Sequence, residues 1–163
     1  MRAQRGANWF TCGMRVHRPD LVAVLAVLLI SACESGTPTV TSIVFDGEPH
    51  TINTGTVVCT RQLAGGGLVI LAQGKTGQLV RIQLTQVGRV VVQKVGLRDG
   101  DVTGFIADPQ EVTGIKVDDT YTVSGRMPPN PGESQWHTFK IQTTCPGYQD
   151  AHPHDTVPAI GAP

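Results

Sequence analysis

Apolar residues fall along this chain in two patterns. Residues 21–30 form one unbroken apolar run, whereas from Ile43 onward apolar positions come in short alternating or β-branched runs broken by turn residues. No helical stripe longer than two turns appears in that second part, so it predicts strands. They are expected at 43–45, 51–60, 68–72, 78–85, 89–96, 102–107, 112–117, 120–126 and 137–145. Between them stand turn signals: Asp46-Gly47, Gly65-Gly66-Gly67, Asp99-Gly100-Asp101, Asp108-Pro109, Asp118-Asp119 and the Pro/Gly loop 127–132. Eight or nine short strands at this spacing predict an all-β domain, a small antiparallel β-sandwich or partly open barrel.

The run 21–30 has a different meaning. It is about half the roughly 20 residues that cross a bilayer as a helix, and Arg15 and Arg18 precede it as a positive flank, which reads as an export signal. It ends in Ile30-Ser31-Ala32-Cys33, the pattern of a bacterial lipobox. A branched apolar residue three before the cysteine and small residues between them let a processing peptidase close on a narrow backbone beside a lipidated thiol. Cys33 then becomes the first mature residue and the lipidation site. Two plainer readings exist: an ordinary signal peptide with Cys33 as a bystander, or a short buried helix. The placement of Ser31 and Ala32 weighs against the first, and the lack of any core-forming pattern before residue 43 against the second. Translation from Met1 or from Met14 gives the same mature chain.

Four regions follow. Residues 1–32 are a removed signal; 33–42 are a lipidated, flexible Ser/Thr/Pro/Gly spacer; 43–145 are the β-domain; 146–163, rich in Pro, His and Ala, are an expected disordered tail. The spacer hydroxyls of Ser35, Thr37, Thr39, Thr41 and Ser42 are candidates for O-linked sugar or are plain solvated hydroxyls.

Composition narrows the function. Residues 1–32 hold four of the 13 Lys and Arg and one of the 13 Asp and Glu, which leaves 9 basic against 12 acidic residues after cleavage. A net charge near −3 argues against a nucleic-acid partner. Of the four cysteines, Cys12 leaves with the signal and Cys33 is lipidated. Cys59 and Cys145 remain as an even pair outside the cytoplasm, where a disulfide is the expected state. Val57 and Cys59 share one strand face, as do Phe139, Ile141 and Cys145, so the bond should be buried. No CxxC spacing supports a redox or metal role for the pair.

Candidate chemistry is sparse. His50 and His137 open strands and read as solvent-wetted edge residues, and no nucleophile motif surrounds any serine. His152 and His154 lie in the expected tail, where two imidazoles make no preorganised metal site. The Asp clusters at 99–101 and 118–119 lack EF-hand spacing and read as hairpin turns. Gly65-Gly66-Gly67 precedes no helix that would make it a phosphate cradle. The sequence therefore predicts no catalytic residue, no metal and no cofactor. Residues 68–72 and 90–92 are apolar on both strand faces, which fits either a packed core or an apolar cleft for a lipid.

Several segments together carry a resemblance. These are Ile43-Val44-Phe45-Asp46-Gly47, Thr56-Val57-Val58-Cys59-Thr60, Val95-Gly96-Leu97, Tyr121-Thr122-Val123-Ser124-Gly125 and Phe139-Lys140-Ile141-Gln142-Thr143-Thr144-Cys145. With the lipobox and spacer before them, their order and spacing over residues 40–145 resemble the mycobacterial nineteen-kilodalton lipoprotein antigen family. The resemblance implies a non-enzymatic lipoprotein on the outer face of the cell membrane or at the cell surface, with a β-rich domain, one disulfide and often a glycosylated spacer. It also implies that host innate receptors of the Toll-like kind sense the acylated N-terminus. Here the spacer is shorter and poorer in Thr than is usual in the family. The alternative function, from the doubly apolar strands, is a lipid or glycolipid carrier holding an acyl chain in a cleft of the β-domain.

Overall fold

A computed structural model describes residues 39–63 and 65–152, with the backbone alone at Asn53 and Thr54. Residues 1–38, which include Cys33 and most of the expected spacer, and residues 153–163 lie outside this range. Ten strands make up the described chain: β1 (Val40–Phe45), β2 (Glu48–Arg61), β3 (Gly67–Gly74), β4 (Leu79–Thr85), β5 (Val91–Asp99), β6 (Val102–Ile106), β7 (Val112–Val117), β8 (Thr120–Met127), β9 (His137–Thr144) and β10 (Gln149–Asp150). The side-chain period of two that predicts them is visible in their burial. In β1, β4 and β9 every second residue is buried, because one face of each strand lies on the core and the other faces out.

Hydrogen bonding follows one path, β6-β5-β4-β3-β2-β1-β9-β8-β7, with β10 added beside β2. The path folds over at β2. That strand is longer than the sequence predicts because it serves two sheets: Glu48 to Asn53 pair with β1, and Thr54 to Arg61 pair with β3. The register slips between Thr54 and Thr56, at Gly55, where the strand passes from one layer to the other. β6 and β7 terminate the path without pairing with each other, so the domain is a sandwich of two sheets and not a closed barrel. β5 packs across β7, and β6 across β8. Gly114 permits the first of these approaches, since a Cβ there would stand 2.7 Å from Val92 and 2.8 Å from Val90.

Between the sheets lies one core, whose largest fully buried side chains include Tyr121, Ile43, Ile52, Leu68, Ile70, Ile82, Leu84, Met127 and Ile141. The disulfide Cys59–Cys145 crosses it at one end, with Cα atoms 5.9 Å apart and both residues buried. It joins β2, where that strand belongs to the second sheet, to the end of β9 in the first. Parity along both strands places each sulfur inward, as the sequence predicts.

Two boundaries differ from expectation. The β-domain begins at Val40 and not at residue 43. Thr41, read from sequence as a spacer residue open to sugar, is fully buried, and its hydroxyl lies 2.8 Å from that of Thr143. The inward parity of Ile43 and Phe45 extends one step back to Thr41, and a polar group accepts that position because a second hydroxyl meets it there. The segment after Cys145, expected to be disordered, is ordered through residue 152. Gln149 and Asp150 pair parallel with Thr60 and Arg61, and the Ala151 amide donates to the Arg61 carbonyl at 2.8 Å. Tertiary partners order a stretch whose own composition gives no strand signal.

Candidate functional site

The disulfide end of the sandwich holds a polar relay built around Tyr148. Cys145 stops β9, and its amide donates to the Asp119 carbonyl at 2.9 Å. Three residues on, Tyr148 turns back against the core. Its hydroxyl donates to Asp119 Oδ1 at 2.8 Å, and therefore accepts from the Tyr121 hydroxyl at 3.1 Å; the Tyr121 oxygen in turn accepts from Gln86 Nε2 at 2.9 Å. This relay ties β8, the β4–β5 loop, the β7–β8 turn and the segment after the disulfide together. Burial, then the hydrogen bonds with Tyr121 and Asp119, push the Tyr148 phenol well above the usual tyrosine range, so it stays protonated at any physiological pH.

Two cations gather around the same ring. The Arg61 guanidinium lies 4.6 Å from the Tyr148 centroid, and the Lys116 ammonium lies 5.8 Å from it and 5.6 Å from that of Tyr121. Lys116 points to this side because it alternates with Ile115 and Val117, both exposed on β7. Beneath the cations is a cavity of about 250 Å³, walled by Gln62, Gln86, Tyr148 and the backbone of Gly66 and Gly67, with Leu68 at its base. Gly66 lets the β4–β5 loop lie close beside it, as a Cβ there would meet the Val87 side chain at 2.9 Å, and the residue has a φ of +62°.

At the opposite end of β9, His137 is held by two carboxylates. Its Nδ1 lies 2.6 Å from Asp46 Oδ2 and its Nε2 lies 2.6 Å from Glu133 Oε2, while the ring stacks on Phe45 at 5.0 Å. Asp46, at a φ of 50° in the β1–β2 turn, also accepts the Thr138 amide at 2.7 Å, and Glu133 accepts the Asn130 amide at 2.9 Å. Hydrogen bonds to Asp46 and then Glu133 raise the imidazole pKa above its ordinary value. Burial works to raise the Asp46 pKa, but the bonds from His137 and Thr138 outweigh it and leave that carboxyl below its ordinary value; Glu133 is lowered by His137 and then Asn130. His137 is thus not the solvent-wetted edge residue that the sequence suggests. With both ring nitrogens engaged by carboxylates it is a charged cross-link between two loops, and neither nitrogen is available as a base.

The remaining sequence candidates have structural posts. His50 Nδ1 lies 3.3 Å from Asp99, which also accepts Gln78 Nε2 at 2.8 Å. Gly100 and Asp118 take positive φ in their hairpin turns, as the turn reading of both Asp clusters requires. Among the described residues, no three His, Cys, Asp or Glu side chains converge as a metal-ligand set. Leu68, Ile70, Ala72 and Val92 belong to the core and Val90 packs against it. A second, open cavity of about 480 Å³ at the β3–β4 turn is lined largely by Gly, Gln, Lys75 and Arg98, with Leu79 as its one large apolar side chain.

No curated protein matches the chain. A family model does, over residues 34–145, and those limits coincide with features already described: the match opens directly after Cys33 and closes on the cysteine that ends β9. Since it spans well over half of the 163 residues and contains nearly the whole two-sheet core, the chain belongs to the Mycobacterium 19 kDa lipoprotein antigen family.

Proposed function

We propose that this protein is a non-enzymatic lipoprotein of the cell envelope, anchored through acylated Cys33, with its β-sandwich displayed as a surface antigen and its acyl chains engaged by host innate receptors. The observation that carries this reading is the family match beginning at residue 34, immediately after the cysteine of Ile30-Ser31-Ala32-Cys33. Stable attachment takes two acyl chains or one chain with a second signal, so a diacylated or triacylated cysteine suffices alone. Residues 34–39 separate that cysteine from β1, and six residues reach no further than about 20 Å when extended. The domain accordingly sits close to the bilayer surface on a short leash.

The test is intact mass spectrometry of the membrane-extracted protein beside a Cys33→Ala variant. The expected result is a mass increment of two or three acyl chains on the mature chain starting at Cys33, and recovery of the variant in the soluble fraction with its β-domain folded. Continued membrane association of folded Cys33→Ala protein, or an unmodified cysteine in the native protein, would overturn the anchor.

A further inference from the structure

We propose that the cavity beneath Arg61 and Lys116 binds a phosphate group carried on a polyol or sugar. The two cations flank one ring, Tyr148, and neither has an ion-pair partner among the described residues. Of the nearby carboxylates, Asp119 is spent on the Tyr148 hydroxyl, and Asp150, which pairs in register with Arg61, forms no ion pair with it. Two like charges held around one concave spot are mutually repulsive in the empty state, and low-dielectric walls focus their field into it. An anionic phosphate relieves that repulsion, with the guanidinium fork matching its two free oxygens and the ammonium acting as a point charge beside them.

Size and wall chemistry give the rest of the ligand. A volume of about 250 Å³ exceeds what inorganic phosphate fills and suits a single hydroxylated ring. Gln62 and Gln86 both line the cavity, and Gln86, whose nitrogen is engaged with Tyr121, keeps its amide oxygen for a hydroxyl. The same chemistry occurs in a soluble sugar phosphate and in a phosphoinositol lipid headgroup. Leu63 and Val87, 70% and 73% exposed on the two loops beside the cavity, would add contact in the second case.

Full-length Cys33→Ala protein, soluble and unacylated, allows both sources to be tested. Calorimetric titration with myo-inositol 1-phosphate should give saturable binding that weakens steeply with salt, while myo-inositol itself should not bind. Inorganic phosphate should bind more weakly. The double substitution Arg61→Gln/Lys116→Gln lies on exposed side chains and should leave the thermal midpoint in place while weakening inositol phosphate binding roughly tenfold or more. Flotation with phosphatidylcholine vesicles, with and without phosphatidylinositol, separates the sources: capture that needs phosphatidylinositol, Arg61 and Lys116 assigns a headgroup, and titration without capture assigns a soluble ligand. The proposal is overturned if neither probe binds, if inositol binds as well as its phosphate, or if binding survives the double substitution.

Discussion

Strand β9 is fastened at both ends, by opposite kinds of chemistry. At its C-terminal end Cys145 is bonded to Cys59 inside the core, and at its N-terminal end His137 is gripped by Asp46 and Glu133 near the surface. The first link is covalent and acts mainly by removing conformations from the unfolded chain. The second is ionic, lies in the folded state and depends on three protonation states. A domain outside the cytoplasm can rely on the first at any pH it meets, whereas the second sets how firmly the 127–137 loop is held to the β1–β2 turn.

Breaking the covalent end should have the largest effect. The cross-link spans a sequence separation of 86, and its loss is worth about 4.5 kcal/mol in the chain-entropy model. Cys59→Ser should therefore lower the thermal midpoint by well over ten degrees in a domain of this size, measured by calorimetry. Next comes the hydroxyl pair beside it. Thr41→Val leaves the buried Thr143 hydroxyl without its partner and should cost about 1–3 kcal/mol in a denaturant titration, while the double variant Thr41→Val/Thr143→Val should recover much of that loss. A cost for the double variant equal to the sum of the single ones would show that the pair is not coupled.

A third variant bears on the segment that the disulfide brings home. Tyr148→Ala removes the ring that holds residues 146–152 against the core, so the Ala151 amide should exchange much faster with little change in global stability. Unchanged exchange at Ala151 would mean that β10 holds itself.

The ionic end should give the smallest effect and the only one with a pH signature. His137 is raised in the folded state, so its contribution is complete below the unfolded value of 6.5 and fades as pH rises through the folded value. Asp46 and Glu133 are lowered, so theirs is complete above the unfolded values of 3.8 and 4.5 and fades as pH falls through the folded ones. The cross-link is strongest between about pH 4.5 and 6.5. His137→Gln should lower stability most within that window and remove the decline that begins as pH rises above 6.5, so that variant and parent converge at alkaline pH. A uniform loss at every pH would instead mean that stacking on Phe45, not charge, is what His137 contributes.

These fastenings differ in how far the sequence reveals them. The disulfide was legible because Cys59 and Cys145 are the pair left after the signal and lipidation cysteines, and its burial because strand parity is local: Val57 with Cys59, and Phe139 with Ile141 and Cys145, share a face. The Asp46-Gly47 and Asp99-Gly100 turns were legible for the same reason. The His137 grip was not, since Asp46 is 91 residues away and Glu133 lies in a loop, where a spacing of four carries no meaning without a helix. Tyr148 and β10 were hidden by the Pro- and His-rich composition around them. Arg61 and Lys116 look like ordinary solvated charges until the fold turns both toward one ring. Thr41 was misread because a threonine in a Thr/Ser-rich stretch reads as spacer, and only its partner across the sheet makes it core.

The position of β1 bears on mechanics. Any pull transmitted through the chain upstream arrives at Val40, at the start of a strand flanked on both sides, by β2 and by β9. An edge strand under such a load unzips one hydrogen bond at a time, but β1 must shear along both neighbours at once. Its neighbours are in turn locked to each other through Cys59 and Cys145. A force applied through the chain upstream of Val40 therefore meets a strand that is hydrogen-bonded on both sides.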